Sequence, residues 1–145
     1  MSGVFVAHLP SQTEQVATLV DLLETSLTLQ EGAIICTSLP GYGLSSAAVN
    51  VDDFRGMLDG ASIVMGVVDQ RSLADPQLLF ELGAAWGQGK WMVLVTDREG
   101  YEAALPWQLR GVTVVCRSDR AGLVSMIEDI AFQLDTSPLR KGIAV

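Results

Sequence analysis

Basic residues and histidine are scarce in this sequence of 145 residues. Nine Lys and Arg stand against 17 Asp and Glu, which gives a formal net charge of −8, and there is one histidine. Binding to nucleic acid or to an anionic membrane surface needs clustered cations, whereas these are scattered along the chain. We therefore expect no nucleic-acid partner and no membrane partner.

Cysteine is also rare. Cys36 and Cys116 each lie in an apolar run, and neither a CxxC pair nor a cysteine–histidine cluster is present. We therefore expect two buried thiols outside any disulfide and no metal site. Such cysteine usage fits a reducing compartment, and we expect a cytoplasmic protein.

Several signature segments are missing as well. No apolar run reaches the roughly 18 residues that span a bilayer, and the first residues do not read as a secretory signal. The first strand-like segment is followed by HLPSQTE, which has neither a G-x-G-x-x-G nor a G-x-x-x-x-G-K-[ST] pattern. No G-x-S-x-G elbow occurs. These absences argue against Rossmann dehydrogenases, P-loop enzymes and serine hydrolases.

What the sequence does contain is a regular alternation of two kinds of segment. Short apolar runs predict strands at 3–8, 33–36, 62–68, 91–95 and 112–116, and apolar residues at helical spacing predict helices at 12–29, 51–58, 76–89 and 118–134. Strands alternating with helices predict an α/β protein with a flavodoxin-like, doubly wound, five-stranded parallel sheet. We expect one domain over residues 1–136 and a C-terminal tail over 137–145.

Glu81 is the acidic residue whose position suggests chemistry. In a doubly wound sheet, ligands bind beyond the carboxyl ends of the strands, and Glu81 lies about two turns into the helix that follows the central strand. Leu78, Leu82 and Ala85 are expected to form the core-facing stripe of that helix, which leaves Glu81 on another face with Gln77. Spacing alone favours an exposed glutamate stabilised by the helix dipole over a functional one.

Four segments together resemble bacterial Toll/interleukin-1 receptor (TIR) domains. They are VFVAH (4–8), IICTSLPGYGL (34–44), the long segment from SIVMGVV to KWMVLV (62–95) and LPWQLRGV (105–112). Their order is the family's order, and they cover nearly the whole chain. The resemblance implies the TIR fold.

The resemblance also implies an activity. Enzymatic TIR domains cleave the nicotinamide–ribose bond of NAD⁺, and their catalytic glutamate corresponds to Glu81 in LLFELG. NAD⁺ is then the substrate, and no further cofactor is implied; the product is ADP-ribose or its cyclic form. The resemblance further suggests a role in prokaryotic antiphage defence. The residues expected to bind substrate are His8, Leu9, Ser38, Tyr42, Gly43, Asp69, Gln77 and Trp86.

Partners follow from the same resemblance. Enzymatic TIR domains use the segment matching 38–50 to contact a neighbouring TIR domain, so we expect self-association through this loop, in a filament-like form. An ordinary glycine-rich loop that folds its own tyrosine back is an alternative interpretation. A separate sensor protein is a further expected partner.

Two departures from the family pattern keep other functions open. The S-x-x-D that usually follows the first strand is absent from AHLPSQTE, and no W-C pair precedes Glu81. Trp86 is a candidate replacement aromatic, although its spacing favours core packing, and His8 is also explained by a structural hydrogen bond. The alternatives are a non-catalytic TIR assembly module and a nucleoside 2-deoxyribosyltransferase-like enzyme, which ELGAAWGQGK (81–90) resembles.

Overall fold

A computed structural model describes residues 3–30, 32–36, 51–109 and 111–134, with the backbone alone for 51–53. The strands are β1 (Gly3–His8), β2 (Ile34–Ile35), β3 (Ala61–Val68), β4 (Trp91–Thr96) and β5 (Thr113–Cys116). The helices are α1 (Thr13–Ser26), α2 (Val51–Asp59), α3 (Pro76–Gly87) and α4 (Arg120–Gln133). Most predicted bounds agree within two residues, and the predicted tail 137–145 lies outside the described residues.

All five strands are parallel and lie in the order β2-β1-β3-β4-β5. Phe5 of β1 pairs with Val64 of β3, and Val64 pairs in turn with Met92 of β4. This order confirms the predicted flavodoxin-like, doubly wound sheet. Because the chain turns back from β2 and resumes on the other side of β1, the β1/β3 boundary is the topological switch point, where such sheets bind ligands.

Each face of the sheet carries its own apolar core. One face packs against α1 and α4, and includes Val4, Met65 and Val93. The other face packs against α2 and α3, and includes Phe5, Val64 and Leu94. Successive strand residues point to opposite faces, so the continuous apolar runs of the sequence follow from burial on both sides.

The start of α3 agrees with the sequence, where Asp75 is the predicted cap and Pro76 the predicted first-turn residue. The Asp75 carboxylate accepts a hydrogen bond from the Leu78 backbone N–H at 2.9 Å, and Pro76 occupies the first turn. A carboxylate here satisfies an N–H group that has no partner within the helix. Leu78, Leu82 and Ala85 are buried, which confirms the predicted core stripe and fixes the rotation of α3 about its axis.

The start of α1 differs from the prediction. The sequence offers Ser11 and Thr13 as candidate caps of this helix, but neither caps it, because residues Pro10–Gln12 form a separate 3₁₀ turn and the helix begins at Thr13. The Gln12 side chain is 2% exposed, and its Oε1 accepts a hydrogen bond from the Leu9 backbone N–H at 2.8 Å. The hydrogen bond of the Gln12 side chain to Leu9 therefore stabilises the turn before α1, where a serine or threonine cap was expected.

Helix α4 corrects one core prediction. Helical spacing predicts core positions at Leu123, Met126, Ile127, Ile130 and Phe132. Met126, Ile127 and Ile130 are buried, but Phe132 is 85% exposed. Residue 132 lies two positions beyond Ile130, which turns its side chain roughly 200° around the helix and away from the sheet. The Phe132 side chain therefore does not contribute to the hydrophobic core.

The predictions from charge and cysteine content agree with the burial of the side chains. Most acidic residues of the sequence fall on the predicted solvated faces of helices. Those of α1 and α4 are exposed, namely Glu14, Asp21, Glu24, Glu128 and Asp129. Cys36 and Cys116 are both buried, and neither forms a disulfide. Within the described ranges, no helix is long and apolar enough to cross a membrane, and no group of three or more His, Cys, Asp or Glu could hold a metal ion.

Candidate functional site

The carboxyl ends of β1 and β3 form the edge of the sheet at the switch point. His8 ends β1 and lies in register with Val67 of β3. Beyond them, the chain enters the 3₁₀ turns Pro10–Gln12 and Ser72–Ala74, and the second of these leads into α3. The first turns of α3 therefore lie beside the end of β1, at the place where the fold favours a ligand.

Glu81 is half-buried on the second turn of α3. Gln77, one turn earlier, donates a long hydrogen bond of 3.4 Å from Nε2 to Glu81 Oε2. Burial raises the pKa of the Glu81 carboxyl above its usual range, and this outweighs the lowering by Gln77 and by the charge of His8. The carboxyl is thus not the fully solvated surface group of the alternative interpretation, and it holds a proton more tightly than an exposed glutamate does.

His8 is half-buried at the end of β1, with both ring nitrogens occupied. Nδ1 lies 2.7 Å from the Leu9 carbonyl oxygen, and Nε2 lies 3.6 Å from the Cys36 sulfur. A carbonyl only accepts, so Nδ1 carries a proton; Nε2 then accepts from the neutral thiol, or donates to sulfur in the imidazolium form. The structural hydrogen bond considered from sequence is therefore present.

The same histidine interacts with Glu81. Burial alone would lower the pKa of His8, but the hydrogen bonds to Cys36 and Leu9, together with the negative charge of Glu81, raise it above its usual value. His8 at the end of β1 and Glu81 on α3 are therefore close enough for their charges to interact. A negative charge on Glu81 and a positive charge on His8 favour one another there.

Cys36 was not recognised as part of this site from the sequence, where it reads as a small apolar core residue. It is fully buried directly after β2, the strand that pairs with β1. The burial was predicted correctly, but the contact with His8 depends on the neighbouring position of β2 and β1. Strand order, rather than any local motif, places these two residues together.

Asp69 organises the loops around the crevice. Its carboxylate accepts from Gln12 Nε2 at 3.2 Å, from the Arg71 backbone N–H at 2.8 Å and from the Arg71 guanidinium at 3.0 Å. Burial raises the pKa of Asp69, but the contacts with Arg71 outweigh it and hold that pKa below its usual range. The Tyr101 hydroxyl donates to the Asp69 carbonyl at 2.8 Å. Three separate loops therefore meet at this residue.

The other predicted substrate-binding residues have different placements. The Leu9 side chain is buried at 6% exposure, and its backbone N–H and carbonyl are both hydrogen-bonded. Ser38, Tyr42 and Gly43 lie outside the described residues, together with the rest of the predicted association loop. Their predicted roles stay predictions.

Trp86 corrects the interpretation as a core residue. It is 54% exposed, because the core stripe of α3 is already formed by Leu78, Leu82 and Ala85. Five residues separate Trp86 from Glu81, which places the two side chains roughly 140° apart around the helix. Trp86 is therefore an exposed aromatic on a face different from that of Glu81.

A second exposed aromatic, Phe80, was missed by the sequence reasoning. It directly precedes Glu81, is 65% exposed, and packs against Phe54 of α2 with ring centroids 5.8 Å apart and ring planes tilted by 40°. Phe54 in turn meets Phe5 of β1 edge-on at 5.8 Å. Phe54 and Phe80 each lie within the first two turns of a helix, so both are near the same edge of the sheet as His8. The sequence signal that could have revealed Phe80 is its position two residues from both Leu78 and Leu82, which turns it away from the core-facing side of α3.

A separate cleft of about 400 Å³ lies on the opposite face of the sheet, between α1 and α4. Leu19 of α1, Val95 of β4 and Leu123 of α4 contribute to its walls, whereas Glu81 and His8 do not. Gln12 and Asp69 border both regions. The volume of the cleft therefore cannot be assigned to the crevice beside Glu81.

Comparison with known proteins supports the fold. No family model matches the sequence, and no curated protein matches it. Among solved structures, the chain is similar to the TIR domain of the Toll-related receptor TRR-2 from the lower metazoan Hydra magnipapillata, with a TM-score of 0.65 and 15% sequence identity over 90% of this chain and 98% of that chain. The chain therefore has the TIR fold.

Proposed function

We propose that this chain is a TIR domain of the bacterial, NAD⁺-cleaving type, with Glu81 as its catalytic residue. The observation that carries the proposal is the half-buried carboxylate of Glu81 at the switch point, whose pKa also responds to the charge of His8. This is where a doubly wound sheet binds ligands, and where a carboxylate is partly withdrawn from water. The sequence resemblance assigns the same residue independently.

The chemistry suits that position. Cleavage moves the electrons of the bond between C1′ and the pyridinium nitrogen onto nicotinamide, which leaves as a neutral molecule. The ribose left behind becomes oxocarbenium-like, and the Glu81 carboxylate stabilises its positive charge. Water then adds to C1′ and loses a proton, giving ADP-ribose, or the adenine of the same molecule adds instead, giving the cyclic product.

Other residues of the crevice support binding in this proposal. The Gln77 hydrogen bond and the charge of His8 orient the Glu81 carboxylate, His8 lines the crevice beside the ribose, and the Gln77 amide offers hydrogen bonds to ribose hydroxyls. Phe80 supplies an exposed ring, next to the catalytic residue in sequence, on which a base of NAD⁺ can stack. Leu9, Asp69 and the segment 38–50 complete the surroundings, and Trp86 binds at the outer rim.

Assembly and context belong to the proposal as well. The domain covers residues 1–136, works in a prokaryotic cytoplasm as an antiphage effector, and associates with other TIR domains through loop 38–50. A separate sensor protein triggers that association. Because enzymatic TIR domains share their site between neighbours, turnover per protomer should rise with protein concentration.

A non-catalytic assembly module is the second candidate. It is favoured by the similarity to a receptor TIR domain and by the absence of the S-x-x-D and W-C residues. Such a module needs no carboxylate beside His8. Its expected signature is association with other TIR domains in the absence of any turnover of NAD⁺.

The deciding experiment is incubation with NAD⁺ at high protein concentration, with the products identified by mass spectrometry. We expect nicotinamide release by the unaltered chain and its loss in Glu81→Ala and Glu81→Gln. Glu128→Gln, which removes an exposed carboxylate on α4, is the matched control. Full activity in a folded Glu81→Gln protein would refute the catalytic assignment, and base exchange between deoxynucleosides without NAD⁺ consumption would support a deoxyribosyltransferase-like enzyme instead.

A further inference from the structure

The cleft between α1 and α4 has the size and the walls of a small-molecule site. Its volume of about 400 Å³ is within the range of ligand pockets, roughly 300–1,000 Å³. Apolar side chains from three elements line it, including Leu19, Leu22, Val95 and Leu123. A cleft with an apolar interior and a few polar groups favours a ligand that has an apolar body.

Two exposed residues of opposite charge border this cleft at neighbouring strand ends. Asp97 directly follows β4 and Arg117 directly follows β5, and the Arg117 backbone N–H donates to the Thr96 carbonyl at 2.9 Å. Adjacent strands lie about 4.8 Å apart, so the two residues are close neighbours. Among the side chains that the structure describes, however, neither Asp97 nor Arg117 forms an ion pair.

This arrangement matches a ligand that carries both charges. A carboxylate bound to the Arg117 guanidinium and an ammonium group bound to Asp97 would each gain a charge-assisted hydrogen bond. An α-amino acid presents these two groups on either side of one carbon atom, which suits a pair of residues on adjacent strands. Glu14, on the α1 wall, adds negative charge and favours the ammonium group.

Gln15 adds a separate reason to expect a polar ligand. This residue borders the cleft, and its Oε1 is buried without a hydrogen-bond partner within the described part of the chain. A buried, unpaired amide oxygen is unfavourable, so a rotation of the Gln15 amide toward the cleft, where a ligand N–H group could reach it, would be stabilising.

We propose that the cleft between α1 and α4 binds a small zwitterion with an apolar body, an amino acid or a close analogue. Its carboxylate contacts Arg117, its ammonium group contacts Asp97, and its side chain packs against Leu19, Leu22 and Leu123. The site is distinct from the crevice beside Glu81, and it does not depend on whether NAD⁺ is cleaved.

Four probes with similar phenyl-alkyl bodies test the charge requirement. They are L-phenylalanine, phenethylamine, 3-phenylpropionate and 2-phenylethanol, which are respectively zwitterionic, cationic, anionic and neutral. Titration into the ¹⁵N-labelled chain, followed by amide chemical shifts, should show L-phenylalanine binding most tightly, with shifts at α1, Asp97 and Arg117. Equal binding of 2-phenylethanol, or no saturable shift at the cleft with any probe, would overturn the proposal.

Two variants separate the two charges. Arg117→Gln should weaken L-phenylalanine binding about tenfold or more and leave phenethylamine unchanged, because a charge-assisted hydrogen bond is lost from the carboxylate alone. Asp97→Asn should weaken both of these probes and leave 3-phenylpropionate unchanged.

Arg120→Gln and Asp129→Asn are matched controls, because both residues are exposed on α4 outside the cleft and neither change should weaken any probe. Circular dichroism verifies that each variant is folded. Unchanged L-phenylalanine affinity in folded Arg117→Gln and Asp97→Asn proteins would also overturn the proposal. If these variants lose L-phenylalanine binding but still cleave NAD⁺, the result supports the proposal for this cleft and leaves the proposed activity of Glu81 unaffected.

Discussion

Gln12 donates a hydrogen bond from Nε2 to Asp69 Oδ2 at 3.2 Å, and so joins the loop after β1 to the loop after β3 across the switch point. Its Oε1 accepts from the Leu9 backbone N–H at 2.8 Å. Leu9 in turn accepts from His8 through its carbonyl oxygen. One buried glutamine therefore connects the loop centred on Asp69 to the histidine whose charge acts on Glu81.

Replacing this glutamine should destabilise the protein. Gln12→Met keeps the length of the side chain but leaves the buried Leu9 N–H without its acceptor, which costs about 1–3 kcal/mol. Urea unfolding followed by circular dichroism measures the change in the free energy of unfolding. Gln108→Met, at an exposed position in the described chain, should change it by less than about 0.5 kcal/mol. Equal effects of the two changes would contradict the role assigned to Gln12.

The packing of α3 on the sheet depends on Gly66 of β3. A Cβ atom at this position would lie 2.8 Å from Leu94 Cδ2 and 3.3 Å from Leu82 Cδ2. Gly66→Ala should therefore overpack the core beneath α3 and destabilise the protein by about 1–3 kcal/mol.

Gly83, in α3 itself, is the natural control, because a Cβ atom there meets nothing within 4 Å. Gly83→Ala should stabilise the protein by about 0.5–1 kcal/mol, since alanine favours a helix interior. Thermal unfolding of both variants measures the two effects, which should have opposite signs. Destabilisation of similar size by both changes would argue against a close contact at Gly66.

Burial of Glu81 predicts that this residue destabilises the fold at neutral pH. Its pKa is raised in the folded state, so between the unfolded and folded pKa values the folded protein binds more protons, and stability falls as pH rises. Glu81→Gln should therefore raise the midpoint of thermal unfolding at pH 7, and it should remove the part of the stability loss that occurs as pH rises from the unfolded to the folded pKa of Glu81. The control Glu128→Gln should do neither. A lower midpoint in Glu81→Gln would indicate that Glu81 stabilises the fold instead.

The fold could be predicted almost completely from the sequence, whereas the site could be predicted only in part. Apolar runs such as Ala61–Val68 specify buried strands, and Asp75 with Pro76 specifies a helix start, because both signals are local. Glu81 was recognised because the segment around it, LLFELG, resembles the corresponding segment of enzymatic TIR domains. The contacts of Cys36 with His8 and of Gln12 with Asp69 join residues far apart in the chain, and no local pattern encodes them.

The errors at Phe132 and Trp86 have a different origin. Apolar side chains in a helix were assigned to the core by type and spacing, yet α3 and α4 each present a narrow stripe that other residues already fill. Which of several apolar residues faces the sheet is decided by the rotation of the helix as a whole. That rotation depends on packing partners such as Gly66, which belong to another element.

His8 offers a direct measurement because it is the single histidine of the sequence. Its ring protons therefore give an unambiguous NMR titration, and its midpoint should lie above the usual 6.5, because the contacts with Cys36, Leu9 and Glu81 outweigh burial. Stability contributed by His8 is thus fully present below pH 6.5 and is lost as pH rises through the folded pKa. Cys36→Ala and Glu81→Gln should each lower the midpoint, and Cys116→Ala should leave it unchanged. If the titration midpoint of His8 is the same in Cys36→Ala and Glu81→Gln as in the unaltered chain, His8 interacts with neither residue and does not belong to the proposed site.

The exposed ring of Phe80 tests substrate binding in the proposed reaction. Phe80→Ala removes a side chain that is 65% exposed, so the protein should remain folded, with a small loss from the contact with Phe54. If a base of NAD⁺ stacks on this ring, the variant should raise KM by roughly twofold to twelvefold, since an aromatic contact contributes about 0.5–1.5 kcal/mol. The value of kcat should change much less. Phe132→Ala, at an 85% exposed position on α4, is the matched control and should leave both constants unchanged. An unaltered KM in Phe80→Ala would place the bases of NAD⁺ elsewhere, while loss of turnover in Glu81→Gln would still identify the catalytic residue.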